Sequence, residues 1–148
     1  MSKKPRILVV DDEAAMRESL TDWLMEDDYE VSQASSGEEA VSMVKEKDFD
    51  VVLLDLKMPG MDGLETMKGL KEVSPETEIV MMTAYATVDT AVQAMKVGAF
   101  DYMVKPFETK ALKELLDHIS HKYSKKADNR TDFQARKEVM LAREQTLQ

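Results

Sequence analysis

The chain has 148 residues, of which 43% are apolar and 33% charged, and its formal net charge is −9. These values predict one globular domain, and no apolar run approaches the roughly 20 residues of a membrane-spanning helix. The absence of cysteine excludes disulfides, thiolate metal sites and cysteine catalysis. The acidic balance disfavours direct nucleic-acid binding by this domain. Its basic start runs straight into a strand-like segment, unlike a secretion signal, so we expect a cytoplasmic protein without a membrane partner.

Five short apolar runs predict β-strands. They cover residues 6–10, 31–34, 51–54, 79–82 and 102–104. Apolar residues at helical spacing follow each run, in the segments 16–24, 37–47, 63–73, 88–95 and 112–119. Ser36 and Asp62 precede the second and third of these segments, each with a glutamate three residues later, a pattern typical of a helix N-terminus.

The regular alternation of strands and helices predicts an α/β fold, in which helices cover both faces of a parallel sheet. The runs at 7–10 and 51–54 are the most continuously apolar and suit central strands, whereas 30–34 mixes in polar residues and suits an edge. The pattern agrees with a flavodoxin-like, doubly wound (βα)5 fold with a five-stranded parallel sheet in the order 2-1-3-4-5. In that fold the ligand site lies at the carboxyl ends of strands one and three.

The character of the chain changes near Tyr123. Residues 124–148 contain six basic and four acidic residues, although the whole chain is strongly acidic, and their apolar residues are sparse. We therefore predict a domain over residues 1–123, followed by a charged linker or helical extension over residues 124–148.

Acidic residues end the two strands expected at the centre of the sheet. Asp11 and Asp12 follow strand one, and Asp55 follows strand three. Two carboxylates about 4 Å apart repel by about 4 kcal/mol at an effective dielectric near 20, a penalty that a divalent cation would reverse. Oxygen ligands with retained water suit Mg²⁺. The alternative is that such residues only cap the following helices, which would explain Asp12 but explains three acidic residues poorly.

Strands four and five bring a hydroxyl, Thr83, and a cation, Lys105, to the same edge. A metal, an ammonium and a hydroxyl around a carboxylate are what phosphoryl transfer requires, so Asp55 is the candidate nucleophile that would form an aspartyl phosphate. A phosphatase of the haloacid-dehalogenase type shares this chemistry. Such an enzyme places an acid–base aspartate two residues after the nucleophile, where this chain has Lys57, and carries a cap domain for which there is no room.

Four motifs resemble the receiver domains of two-component response regulators. They are ILVVDDE (7–13), LLDLKMPGMDG (53–63), MTA (82–84) and GAFDYMVKPF (98–107). The resemblance extends from Lys4 to about Tyr123. The stretch 82–92 is also similar to receivers of nitrogen-regulation-type transcriptional activators, in which an ATPase and a DNA-binding output domain follow the receiver.

The resemblance implies roles for the acidic residues. Asp55 would accept a phosphoryl group from a phosphohistidine on a sensor histidine kinase. Mg²⁺ would be held by Asp11, Asp12, Asp55 and the backbone carbonyl of Lys57. The chain would then be a phosphoryl acceptor that takes part in its own phosphorylation, not an enzyme acting on other substrates.

The resemblance also implies a conformational switch. Thr83 would turn toward the phosphoryl group, Lys105 would pair with it, and Tyr102 would change between outward and inward rotamers. These movements would remodel a face made by helix four, strand five and helix five and control an output such as transcription. A homodimer would form through this face or through a helical linker. Lys57 and Tyr85, at positions that tune the lifetime of the phosphoryl group, predict slow self-dephosphorylation. A docking module blind to phosphate is the alternative, but it would be expected to lack one of the five site residues.

Overall fold

The computed structural model describes residues 5–56, 60, 62–84, 87–105 and 108–128, except for the side chains of 121–128. The described residues divide between a larger compact unit within Lys3–Phe107 and a smaller unit that begins at Glu108. The larger unit contains a β-sheet and four helices, and the smaller unit contains a fifth helix. No helix within the described ranges is long and apolar enough to cross a membrane.

The described residues form five strands that alternate with five helices, as predicted. The strands are β1 (Arg6–Val10), β2 (Glu30–Ala34), β3 (Val51–Asp55), β4 (Glu78–Thr83) and β5 (Asp101–Val104). The helices are α1 (Ala14–Glu26), α2 (Gly37–Glu46), α3 (Gly63–Val73), α4 (Val88–Val97) and α5 (Thr109–Asp128). Each strand boundary falls within one residue of its prediction, because the apolar runs end where the chain leaves the sheet.

The sheet is parallel throughout, and its order is β2-β1-β3-β4-β5. The predicted α/β fold, strand order and edge position of β2 are therefore confirmed. Successive side chains of a strand point to opposite faces, so the central strands bury apolar residues on both sides. Leu8, Val52 and Met81 contribute to a core cluster that also contains residues of α2, α3 and α4. Helix α1 packs against β1 and β2.

Two predicted helix caps are present. The Ser36 side chain accepts a hydrogen bond from the Glu39 N–H, and the Asp62 side chain accepts one from the Glu65 N–H. Both bonds satisfy donors that the first helical turn leaves without partners. At α1 the cap position is Glu13, which makes no side-chain cap bond, so the alternative in which Asp12 caps this helix is wrong.

Helix α5 carries the predicted apolar face. Leu112, Leu116 and Ile119 are fully buried. The helix continues through position 123 to Asp128. The division between residues 1–123 and residues 124–148 stays a prediction, and residues 129–148 lie outside the described ranges.

Candidate functional site

Four predicted site residues lie at the ends of four strands. Asp55 and Thr83 are the last residues of β3 and β4, and Asp11 and Lys105 directly follow β1 and β5. Because these strands are parallel and adjacent in the sheet, their carboxyl ends lie together. We call the sheet edge formed by these four residues the carboxyl edge.

Three carboxylates converge at the carboxyl edge. One oxygen from each of Asp11, Asp12 and Asp55 lies within 4.8 Å of the other two. Asp11 and Asp55 are buried, and Asp12 is exposed. Opposite ligands of an octahedral Mg²⁺ lie about 4 Å apart, and Mg²⁺ takes oxygen ligands while keeping several waters. The donor set fits this ion, because it offers three hard oxygens at suitable spacing and one side open to water.

Lys105 lies between two of these carboxylates. Its Nζ donates to Asp11 Oδ2 at 2.7 Å and lies 3.6 Å from Asp55 Oδ2. Burial is the largest single influence and acts to lower the pKa of Lys105. The hydrogen bond with Asp11 and the charges of Asp55, Asp11 and Glu13 together outweigh burial, and the pKa is raised. The cluster of three carboxylates carries more negative charge than the one ammonium of Lys105 offsets, and this excess favours a further cation.

Asp11 is held by more than its ion pair. Its N–H donates to the carbonyl of Ala34 on β2 at 3.2 Å, and its Oδ1 accepts the Glu13 N–H at 3.0 Å. Its main-chain carbonyl accepts a 2.7 Å hydrogen bond from Nη1 of Arg17 on α1. These contacts fix the strand-to-helix connection that carries the first two carboxylates.

The residues predicted to form the switch lie on neighbouring elements. Thr83 is fully buried, and its carbonyl accepts the Lys105 N–H at 2.8 Å, which joins the ends of β4 and β5. Tyr102, on β5, is half-buried and packs against the core cluster. Its hydroxyl lies 3.2 Å from Thr90 Oγ1. Thr90 also forms a capping box with Thr87 at the start of α4, so Tyr102 is tied to that helix terminus.

Two predicted residues fall outside the described ranges. Lys57, expected to offer a carbonyl to the metal, and Tyr85, expected to influence phosphoryl lifetime, are not among the described residues.

Sequence reasoning missed three residues that support the site. Arg17 could have been found as the only basic residue of the α1 segment. Gly63 packs closely against the end of β3, and its signal was its place directly after the predicted cap. Thr90, which bonds to Tyr102, had no comparable signal, because its partner is 12 residues away on another element.

Residues 7–117 match the protein family described as "Response regulator receiver domain". The chain belongs to this family. The match covers most of the chain. It identifies a receiver domain and not a phosphatase of the haloacid-dehalogenase type. The receiver fold is also the fold observed here, with five parallel strands in the order 2-1-3-4-5.

The relatives of this receiver include transcriptional regulators. The transcriptional regulatory protein ZraR of Salmonella typhimurium is 44% identical over 111 residues, which are 75% of this chain and 25% of ZraR. This chain thus spans about a quarter of that relative's length. The beryllofluoride-activated receiver domain dimer of NtrC4 is 37% identical, with a TM-score of 0.75 over 80% of this chain and 98% of that one. The predicted likeness to nitrogen-regulation-type receivers is confirmed.

A third relative was solved in a phosphorylated state. It is a response regulator protein from Burkholderia pseudomallei with a phosphorylated aspartic acid, a calcium ion and citrate. It is 28% identical to this receiver, with a TM-score of 0.73 over 84% of this chain and 73% of that chain.

Proposed function

We propose that this receiver accepts a phosphoryl group on Asp55 from a phosphohistidine of a sensor histidine kinase. The observation that carries the proposal is the convergence of the Asp11, Asp12 and Asp55 carboxylates within 4.8 Å beside Lys105. In the transfer, an oxygen of Asp55 forms a bond to phosphorus while the bond from phosphorus to the donor imidazole nitrogen breaks. The imidazole leaves with the bonding electron pair and takes up a proton.

Asp11, Asp12 and Asp55 would hold Mg²⁺, together with the backbone carbonyl of Lys57. When bound, the ion supplies positive charge to the phosphoryl oxygens and relieves the repulsion among the carboxylates. The exposed Asp12 keeps the site open to water and to a donor. Asp11, which is fully buried and held through its main chain and its side chain, provides the rigid part of the ligand set.

Lys105 and Thr83 would respond to the new charge. Phosphorylation adds about −1.5 to −2 charges and three acceptor oxygens. Lys105 already lies 3.6 Å from Asp55, so a small movement of its ammonium brings it to a phosphoryl oxygen. Thr83 would turn its hydroxyl toward the same group. Because the Thr83 carbonyl accepts the Lys105 N–H, the ends of β4 and β5 would respond together.

Tyr102 would pass this change to α4 and β5, which belong to the proposed output face. Its bond to Thr90 connects it to the start of α4, the helix that follows Thr83 in the chain. To move such a switch from 1:99 to 99:1, phosphorylation must stabilise the active conformation by about 5.5 kcal/mol relative to the inactive one. We propose a phosphorylation-dependent homodimer through this face, in line with the NtrC4 receiver dimer. A sedimentation coefficient that phosphorylation leaves unchanged would contradict the regulated dimer.

The wider setting is proposed by analogy with the relatives. We propose that the receiver covers residues 1–123, that residues 124–148 link it to an output, and that the protein acts in the cytoplasm. ZraR is named as a transcriptional regulator, so we propose transcription as the output, through an ATPase or DNA-binding domain if the chain is part of a longer protein. Self-dephosphorylation is proposed to be slow, and a phosphoryl lifetime of seconds would contradict this.

The test is intact-mass spectrometry after incubation with acetyl phosphate. The wild type should gain a single phosphoryl group in Mg²⁺ and none in EDTA, and Asp55→Asn should gain none. Asp48→Asn is the matched control, because Asp48 is an exposed aspartate that precedes the other end of β3. If the folded wild type gains no phosphoryl group in Mg²⁺, or if Asp55→Asn is still modified, the proposed acceptor role of Asp55 is wrong. The chain would then be closer to a docking module.

A further inference from the structure

Asp11 and Asp12 are neighbours in the sequence, yet their carboxylates lie together. Successive side chains of an extended strand point to opposite faces of the sheet. For both carboxylates to lie within 4.8 Å of each other and of Asp55, the chain must leave the extended conformation at the peptide that joins them. The chain does bend at Asp12, directly after β1. The orientation of this one planar peptide therefore sets how the two carboxylates face each other.

Arg17 holds the oxygen of that peptide. Its Nη1 donates to the main-chain carbonyl of Asp11 at 2.7 Å, a short bond from a charged donor. The preceding peptide is held separately, because the Asp11 N–H donates to Ala34 on β2. With both ends of Asp11 fixed, its backbone has little freedom to rotate and carry Asp12 away from the site.

Arg17 is itself well anchored. Its N–H donates to the Glu13 carbonyl in the first turn of α1, and its carbonyl accepts the Thr21 hydroxyl. Its Nε reaches Gln33 Oε1 on β2 at 3.4 Å. A guanidinium presents donors in a fixed planar fork, so it can bond to two groups at once in a way that an ammonium cannot. The side chain of Arg17 thus ties α1, the Asp11 carbonyl and β2 together.

Within the described residues, Arg17 donates to a main-chain oxygen and not to a carboxylate, which leaves the carboxylates available to a metal ion. In the described part of the chain, the ion pairs of Asp11 and Asp55 are with Lys105, whereas Arg17 bonds to a main-chain oxygen. Arg17 therefore orients the acidic residues without using a carboxylate oxygen that a metal needs. Groups that orient metal ligands from outside the coordination shell commonly change metal affinity by 10- to 100-fold when they are removed.

We propose that Arg17 is a positioning residue that fixes the Asp11–Asp12 peptide and thereby sets the affinity of the receiver for Mg²⁺. This inference rests on the proposed function, because it assumes that Asp11, Asp12 and Asp55 hold the ion. It assigns Arg17 no contact with the metal or with the phosphoryl group.

The test is isothermal titration calorimetry of Mg²⁺ with Arg17→Met, which keeps an unbranched apolar stem but removes the donors and the charge. The dissociation constant should rise about tenfold. The sign of the change is decisive. Loss of a nearby positive charge alone would strengthen Mg²⁺ binding, whereas loss of the peptide's orientation weakens it. Arg6→Met is the matched control, because Arg6 starts β1 and lies at the other end of the strand from Asp11. The Mg²⁺ dissociation constant of this variant should stay within about twofold of the wild-type value.

Phosphorylation supplies a second measurement. With limiting Mg²⁺, Arg17→Met should be phosphorylated by acetyl phosphate more slowly than Arg6→Met, and saturating Mg²⁺ should remove most of the difference. Should Arg17→Met fail to fold, Arg17→Lys takes its place. Lysine keeps the charge but not the fork, and its dissociation constant should rise by a smaller factor.

The outcomes separate the two proposals. If the wild type binds no Mg²⁺ and gains no phosphoryl group, the proposed function fails. If the wild type does both, and Arg17→Met binds Mg²⁺ as tightly as Arg6→Met or more tightly, the role of Arg17 is wrong while the proposed function stands. If Arg17→Met does not fold and Arg17→Lys binds Mg²⁺ with the dissociation constant of the wild type, the proposed role of Arg17 is also wrong.

Discussion

Each edge of the sheet carries one charged side chain between two of the opposite sign, but the signs are reversed and the surroundings differ. At the carboxyl edge, Lys105 lies between Asp11 and Asp55. At the opposite edge, which we call the amino edge, Glu30 lies between Arg6 and Lys47, at 2.9 and 3.3 Å. The side chains of Lys105, Asp11 and Asp55 are at most 11% exposed, whereas those of Arg6, Glu30 and Lys47 are 40% to 56% exposed.

Burial decides what each arrangement contributes. Exposed ion pairs are screened by water and contribute little to stability. We therefore expect the ion pairs of the amino edge to have little effect on the free energy of unfolding. Charges at the carboxyl edge are poorly screened, and each depends on its partners. An excess of buried negative charge is unfavourable in a structural site, but it is what a cation-binding site needs. The comparison thus separates a surface feature from a candidate functional one.

The largest expected effect is the loss of Lys105, a cation whose side chain is only 11% exposed. In EDTA, Lys105→Met should lower the free energy of unfolding by about 3 kcal/mol, because two buried carboxylates lose the ammonium that pairs with both. Urea denaturation followed by the fluorescence of the single tryptophan measures this change. Added Mg²⁺ should stabilise the variant more than the wild type, because Asp11 Oδ2 is no longer engaged by an ammonium.

Lys47→Met is the control at the amino edge and should change stability much less, because Lys47 is 44% exposed. Equal losses in the two variants would mean that burial does not separate the edges.

The second largest effect on stability is expected for Gly63, which packs against the backbone at the end of β3. A Cβ on Gly63 would lie 2.5 Å from Leu56 Cα and 2.8 Å from the Asp55 carbonyl oxygen, and backbone cannot swing away as a side chain can. Gly63→Ala should therefore cost about 2 kcal/mol in urea denaturation and slow phosphorylation of Asp55.

Gly69→Ala is the matched control within α3. Among the described residues, its new methyl group would meet the Val41 side chain alone, at 3.2 Å. Alanine also favours the helix by up to about 1 kcal/mol. If both variants were equally stable, the close packing of Gly63 would not constrain the end of β3.

Most of the fold was predictable from the sequence, but only part of the site was. The apolar runs and the caps Ser36 and Asp62 predicted the elements, because local patterns report burial and helix starts directly. That Asp11, Asp55 and Lys105 lie at one edge also followed from the parallel order.

Other features of the site depend on atomic positions that no local pattern records. The sequence did not indicate that Lys105 bonds to Asp11 more closely than to Asp55, because these residues lie 94 and 50 positions away. The bond from Arg17 to a main-chain oxygen was equally hidden, since any residue type has a carbonyl.

The contact between Thr90 and Tyr102 is partly buried and uncharged. Its loss should lower stability less than the loss of Lys105 but more than the loss of an exposed ion pair. Thr90→Val removes the acceptor of the Thr87 N–H and the partner of the Tyr102 hydroxyl, and should cost about 1 kcal/mol. A double-mutant cycle with Tyr102→Phe isolates the second contact, and we expect a coupling energy of at least about 0.5 kcal/mol. Additive effects of the two substitutions would show that Tyr102 is not tied to the start of α4.

The smallest effect is expected for Glu30→Gln at the amino edge. Hydrogen bonds from Lys47 and then Arg6 hold the pKa of Glu30 below its ordinary value of 4.5. A lowered pKa means that the ionised carboxylate contributes stability above pH 4.5, and that this contribution disappears as the pH falls through the lowered pKa. Lys105, whose pKa is raised above its ordinary 10.5, stays protonated over this range and adds no slope of its own.

The wild type and Glu30→Gln should therefore differ slightly in urea denaturation at pH 7 and converge on acidification. The difference should also shrink in 1 M salt, where the screening length is about 3 Å, while the effect of Lys105→Met persists because that site is buried. A difference that grew on acidification, or that resisted salt, would place the amino edge in the same energetic class as the carboxyl edge. Exposure would then no longer explain why the ion pairs of the two edges contribute differently to stability.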